Sequence, residues 1–159
     1  MTSASSKPPQ DDQPELVAAD VNDEKSVGPQ GEVRRGDPDL ETVLAAYRAF
    51  ALGDIDAAVA NMAEDVVWVE PDEFPDGGRY DGRDAVAGYL RRSRDSWERL
   101  HSVPVARRVD NTIAVRHFLE GIGADGIDRK AEVADIFTVR NGLIVHMQAY
   151  ADPDRAFRD

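Results

Sequence analysis

The chain has 159 residues, one domain's worth, of which 42% are hydrophobic and 31% charged. Nineteen lysines and arginines face 31 acids, for a net charge of −12, and such a chain is repelled by phosphate backbones and anionic membrane surfaces, which argues against nucleic-acid and membrane binding. The absence of cysteine excludes disulfides, thiolate nucleophiles and Cys-ligated zinc or iron–sulfur centres.

Residues 1–36 contain no aromatic residue and four prolines (Pro8, Pro9, Pro14, Pro29). Their few aliphatics follow no period, so too little apolar surface is available to offset the ordering entropy, and an acidic disordered tail is expected. The opening MTSASSKPPQ lacks the apolar stretch of a secretory signal. No later run approaches the ~20 apolar residues of a membrane helix. A cytoplasmic protein whose folded domain spans 37–159 is the expectation.

Asp37-Pro38 opens the first helix, with Asp37 as N-cap and Pro38 where its missing N–H costs nothing. Leu40, Val43, Leu44, Tyr47 and Phe50 recur at helical spacing along one face. Gly53 ends that helix and Asp54 caps a second, over about 55–62, which packs Ile55, Val59 and Met62. Val66 to Glu70 reads as a strand with Trp68 and Glu70 on one face, and 71–78 as a loop. A third helix follows Gly82 and is expected to run to about Leu100, with Val86, Tyr89, Leu90, Ser93 and Trp97 on one stripe. Strands are then expected over 103–109, 112–121, 130–139 and 143–151, with turns at Asp110-Asn111, Gly123 to Gly126, and Asn141-Gly142. Helices first and a run of strands afterwards indicate an α+β fold with helices on one side of a curved antiparallel sheet.

Four segments, in this order and spacing, resemble the NTF2-like superfamily, in its SnoaL-like and ketosteroid-isomerase-like branch. They are 52–56 (LGDID), 63–71 (AEDVVWVEP), 80–86 (YDGRDAV) and 135–150 (DIFTVRNGLIVHMQAY), and the resemblance covers about residues 38–155. It implies a cone-shaped half-barrel enclosing one apolar pocket with a few polar groups at its bottom, and a homodimer formed through the outer sheet face. On the last strand it turns Met147 inward with Val145 and Ala149, and leaves His146, Gln148 and Tyr150 on that outer face. It says less about the reaction, because the fold hosts isomerases, cyclases, dehydratases, epoxide hydrolases and non-catalytic binders.

Three side chains are candidates for chemistry. Glu70, followed by Pro71, matches the position of the proton-shuttling Asp-Pro of ketosteroid isomerases. An aromatic wall beside it favours a raised pKa and a general base, and the alternative is a rim carboxylate facing water. Asp135 lies mid-strand between Val133 and Phe137 on its own face, where an acid must be paired, protonated or functional. The resemblance implies a neutral, hydrogen-bond-donating Asp as in ketosteroid isomerase, which is a standard illustration of the effect, or the acid/base of SnoaL-like cyclases. Its alternative is a structural pair with Arg or His. Of the two acids, Glu70 is expected to be ionised at pH 7 and Asp135 to have the higher pKa. His117 shares a face with Val115 and Leu119, and a hairpin centred near Gly126 sets it opposite Asp135 as a proton-transfer partner.

The family's first-helix oxyanion Tyr maps to Ala46, and Tyr47 lies one residue on, roughly 100° around the helix. Tyr47 and Tyr89 are therefore candidate hydroxyl donors, each with core packing as the alternative. Tyr47, Phe50, Met62, Trp68, Tyr89, Val115, Phe137 and Met147 are the expected substrate-contacting set. No metal site, nucleotide loop or nucleophile elbow is present in the pattern, and no cofactor is expected. The arginines of the third helix read as an ion-paired solvent face. Two functions follow: cofactor-independent proton transfer on a small apolar substrate, or a non-catalytic ligand-binding or accessory dimer protein. The first needs a buried carboxylate with a raised pKa and a donor within reach. The second needs apolar walls and a solvent-facing Glu70.

Overall fold

The computed structural model describes residues 36–156 and, ahead of them, the backbone of β1 (Val17–Ala18). The remainder of the expected tail lies outside the described residues. β1 pairs antiparallel with the edge of the main sheet, Val17 opposite Ala106.

Helix α1 (Pro38–Ala51) starts as its sequence dictates. The Asp37 carboxylate accepts the Leu40 N–H at 3.3 Å, and Pro38 occupies the first turn. Arg108 ties this end to the sheet through Asp37 and Asp39. The predicted stripe of Leu40, Val43, Leu44, Tyr47 and Phe50 is buried. Gly53, at φ +81, makes the left-handed turn into α2 (Ile55–Val59), which Asp54 caps.

Helix α2 is three residues shorter than expected. Met62 instead opens β2 (Met62–Glu70), pairs with Ile144, and is fully buried there. The strand β3 (Gly78–Asp81) returns beside β2, with Tyr80 opposite Trp68. Helix α3 (Arg83–Asp95) also stops short of the expected Leu100. The Ser96 hydroxyl closes its last turn on the Ser93 carbonyl at 2.6 Å. Trp97 onward then pairs with the far end of the next strand, Leu100 opposite Gly121. The helical spacing of Leu90, Ser93 and Trp97 mimicked a continuing helix, but strand pairing won.

The strands β4 (Trp97–Val109), β5 (Thr112–Gly123), β6 (Asp128–Arg140) and β7 (Leu143–Tyr150) form the expected antiparallel meander, and a short α4 (Pro153–Ala156) follows. The strand order is β1-β4-β5-β6-β7-β2-β3, with only the β2–β7 pair parallel. The sheet is curved and does not close, and α1, α2 and α3 pack on it in one hydrophobic cluster. The fold is the expected α+β, NTF2-like half-barrel. One detail of β7 differs. Thr138 faces His146 but Val139 faces Ile144, so Val145 is the extra residue of a bulge. Ile144 rather than Val145 is therefore buried alongside Met147 and Ala149.

Candidate functional site

A cavity of about 430 Å³ lies between the helices and the sheet. Its inner end is built from buried side chains on α1, β2, β5 and β6. A second hollow of about 460 Å³, between the α1–α2 turn and the end of α3, has Asp56, Arg91 and Asp95 on its walls and no buried titratable group.

Glu70 ends β2, where Pro71 supplies no N–H to continue the ladder. Strand alternation puts it on the face of Trp68, and the indole Nε1 donates to Oε2 of Glu70 at 2.7 Å. The Tyr89 hydroxyl of α3 is a further donor to the same carboxyl. Glu70 is 7% exposed, so it is no rim carboxylate. Burial, reinforced by repulsion from Asp135, pushes it up to about 8.

Asp135 sits mid-β6 opposite Val115 on β5 and Ala149 on β7, and is 8% exposed. Tyr47 of α1 donates its hydroxyl to Oδ2 of Asp135. Burial raises Asp135 to about 6, with the Tyr47 hydrogen bond acting in the opposite sense. The expected order is therefore inverted: Glu70 holds its proton to higher pH than Asp135. The sequence shows the local neighbours of each acid. It does not show the repulsion between them, nor the tyrosine that α1 brings to Asp135.

His117 lines the same cavity, but the β5–β6 hairpin is centred on Asp125, not Gly126. A one-residue shift of the centre moves each partner by two, which preserves the face but changes the contact. His117 thus stands opposite Val133. Its Nε2 is 2.6 Å from the hydroxyl of Ser102 on β4. Burial drives the imidazole down to about 3, so it is neutral at ordinary pH, and its hydrogen-bond partner is Ser102 rather than the Asp135 expected from the sequence. Its ring packs edge-on against Tyr47, with centroids 4.6 Å apart, and Tyr47 also meets Phe137 edge-on at 5.8 Å.

Of the expected substrate-contacting set, Tyr47, Phe50, Met62, Trp68, Tyr89 and Phe137 line the cavity. Val115 and Met147 do not. Both are fully buried in the core cluster, because alternation identifies the inward face of a strand but not where along it the cavity ends. Ala46 lines the cavity as well, so the side chain that the resemblance maps to a tyrosine is absent while the next residue brings a hydroxyl to Asp135.

Several residues of the site escaped the sequence reading, Ser102 as the partner of His117 and the others as cavity walls. Ser102 shares the buried alternation of Pro104 and Ala106, a readable signal. Phe74 and Pro75 come from the β2–β3 loop, which carries no periodicity. Arg92 and Arg129 also line the cavity, the first hidden by reading the third helix's arginines as solvent-facing and the second lying just ahead of the expected strand, while Trp97 lines it from β4 rather than from the expected helical stripe. Among the described residues no group of three His, Asp or Glu side chains could hold a metal ion, and no helix is long and apolar enough to cross a membrane.

With this geometry in place, comparison with known proteins is decisive for the family. Residues 43–147 match the model of the SnoaL-like domain. The chain belongs to the SnoaL-like family. Among curated proteins nothing matches. Among solved structures the SnoaL-like chain is similar to an NTF2-like protein of unknown function from Burkholderia pseudomallei, at 22% identity over 77% of this chain and 96% of that one, with a TM-score of 0.65. It is similar to a putative polyketide cyclase from Xanthomonas campestris, at 26% identity over 74% and 93% and a TM-score of 0.59. A protein of ketosteroid isomerase-like fold from Catenulispora acidiphila, in complex with trimethylamine, is 19% identical over 74% and 90%, with a TM-score of 0.62. These likenesses share the fold.

Proposed function

We propose that this SnoaL-like domain is a cofactor-independent enzyme that moves protons on a small, largely apolar substrate, in a reaction of the isomerase, cyclase or dehydratase type. The observation that carries the reading is the pair of buried carboxyls, Glu70 and Asp135, in one cavity, raised to about 8 and about 6. Between those values one is ionised and the other protonated, so base and acid coexist at neutral pH. Asp135 removes a proton from a carbon next to a carbonyl. Glu70, its Oε2 held by Trp68, donates a hydrogen bond to the oxyanion that develops. Tyr47 positions Asp135, and neutral His117 acts as a positioning residue through the Tyr47 ring. Phe50, Met62, Tyr89 and Phe137 contact the apolar body of the substrate. His146, Gln148 and Tyr150, each half-buried in the single chain, form the face proposed for a homodimer.

The non-catalytic reading requires a solvent-facing Glu70, and the 7% exposure of that residue speaks against it. The test is deuterium exchange from D₂O into a panel of apolar ketones and 1,3-dicarbonyls, followed by proton NMR. Asp135→Asn is expected to lower the exchange rate by roughly 10²-fold, the usual scale for a general base. A wild-type protein that accelerates no exchange, or an Asp135→Asn variant as fast as wild type, would leave the binding-protein reading standing.

A further inference from the structure

His117 carries two ring nitrogens, and the protein engages one of them. Nε2 is 2.6 Å from the hydroxyl of Ser102. Among the described residues Nδ1 has no hydrogen bond. The side chains about the ring are apolar or already committed. Pro104 and Val133 stand opposite His117, and Val115 and Leu119 flank it on its own face. Tyr47 packs against the ring but gives its hydroxyl to Asp135. A polar nitrogen left unpaired in a residue only 6% exposed costs free energy unless something in the cavity meets it. His117 lines that cavity, and its two nitrogens project from opposite sides of the ring, so the side turned away from Ser102 carries Nδ1.

Ser102 decides what Nδ1 can do. It is fully buried and outside the cavity lining, so its hydroxyl meets no substrate and is no nucleophile. Among the described residues Nε2 of His117 is its one hydrogen-bonding neighbour. The hydroxyl therefore donates to Nε2, because the reverse arrangement strands the serine O–H in an interior that no ligand reaches. Burial keeps the imidazole neutral. With Nε2 accepting, the single ring proton is on Nδ1, and the group presented away from Ser102 is a donor.

Resting on the reading of this cavity as a substrate site, we infer that the Nδ1–H of His117 touches the substrate and donates to an uncharged oxygen other than the carbonyl oxygen at Glu70, with Ser102 as the positioning residue that sets the tautomer. The oxygen is a second one because of the sheet order. His117 hangs from β5 and Glu70 from β2, with β6 and β7 between them. Three strand spacings separate their backbones, roughly 14 Å along the sheet. Asp135 hangs from β6, the intervening strand next to β5, diagonal to His117 on the same face. An anionic oxygen at His117 would meet the Asp135 carboxylate, and a cation would find no acceptor at Nδ1–H, so the matching group is a carbonyl, ether or hydroxyl oxygen. The substrate is then oxygenated on both sides of the position where Asp135 works, and the two donors fix which way round it lies.

The test uses the full chain and two uncharged probes of matched shape, 1,4-diacetylbenzene and 1,4-diisopropenylbenzene, the first with an oxygen at each end and the second with none. Nitrogen NMR of the histidine rings is expected to show His117 as the Nδ1–H tautomer in the free protein. Its Nδ1–H proton should move downfield with the diketone and not with the diene. His117→Phe is expected to bind the diketone about fivefold more weakly, the scale of one neutral hydrogen bond, and the diene within about twofold of wild type. Ser102→Ala should lower the Nδ1–H fraction and the diketone affinity together. An Nε2–H tautomer in the free protein overturns the inference, as does an Nδ1–H proton that responds alike to both probes, or a wild type that binds neither. Equal losses for both probes in His117→Phe would reduce His117 to packing, and an unchanged tautomer in Ser102→Ala would overturn the part given to Ser102. The NMR readout on wild type decides the matter even where a variant does not fold. Deuterium exchange into the acetyl groups of the same diketone separates this from the proton-transfer reading. Exchange without a response at Nδ1–H would sink the role of His117 alone. A response without exchange would sink proton transfer alone.

Discussion

The Tyr47 hydroxyl donates to Oδ2 of Asp135, a residue 88 positions further along the chain, at the buried end of the cavity. This bond joins α1 to the middle of β6 and makes the inner site a product of tertiary packing. It gives a buried carboxylate a donor, and so favours its charged form against the penalty of burial.

Tyr47→Phe removes the donor and little else. Asp135 is then expected to titrate at higher pH than in wild type, read from the side-chain carboxyl resonance by carbon NMR. The variant should be destabilised by about 1–3 kcal/mol above the Asp135 pKa, because a buried acceptor loses its partner. A smaller loss is expected below that pKa, where the carboxyl is already neutral. An Asp135 titration that does not move would mean that the hydroxyl does not support the charge.

The pH dependence of stability follows from three buried groups. On folding, Glu70 rises from 4.5 to about 8 and Asp135 from 3.8 to about 6. Their contribution is whole below about pH 4 and is lost as the pH rises through 6 and 8, since the folded state binds the extra protons. His117 moves the other way, from 6.5 to about 3. Its contribution is present above 6.5 and is lost as the pH falls towards 3. The two trends oppose each other between about pH 4.5 and 6.5. Glu70→Gln, which keeps an acceptor for Trp68, should therefore gain on wild type steadily from pH 5 to 8 in urea denaturation. A constant difference between the two proteins across that range would contradict the burial argument.

Much of this site was legible in the sequence where a local period governs. The 3.6-residue stripe put Tyr47 and Phe50 on the inner face of α1. The two-residue alternation put Glu70 beside Trp68 and set Asp135 between Val133 and Phe137. What escaped was set by distant packing. A hairpin centre displaced by one residue exchanged His117's partner from Asp135 to Val133, and Ser102 arrived from a third strand. The raised pKa of Glu70 came first from burial by distant elements and then from Asp135 across the cavity, neither of which a local window contains. Arg129 meets the Trp97 ring because α3 ended at Asp95 and released Trp97 to pair with Gly123.

The neighbouring pair, Leu100 opposite Gly121, rests on a glycine. A Cβ on Gly121 would lie 2.0 Å from the Arg99 carbonyl oxygen, on a backbone neighbour that has no rotamer to escape into. Gly121→Ala is expected to cost about 1–3 kcal/mol, typical of overpacking, and to loosen the outer end of the cavity where β4 meets β5. Chemical denaturation measures the first effect. Faster amide exchange at Arg99 and Leu100 than at Ala106 and Arg107 would report the second. A variant as stable as wild type would show that the strands can separate here without loss.

The assignment of acid and base makes the last prediction. The productive form has Asp135 ionised and Glu70 protonated, so kcat/KM should follow a bell with limbs near 6 and 8. The bell alone does not say which carboxyl is which, because the reversed protonation state follows the same curve. Substitution does. Gln at position 70 still donates a hydrogen bond but does not titrate. Glu70→Gln should therefore keep measurable turnover and lose the alkaline limb. Asn at position 135 cannot accept a proton from carbon, so Asp135→Asn should lose roughly 10²-fold or more across the whole range. If instead Glu70→Gln were the more damaging change and Asp135→Asn kept one limb, Glu70 would be the base. The mechanism would then return to the order first expected from the sequence.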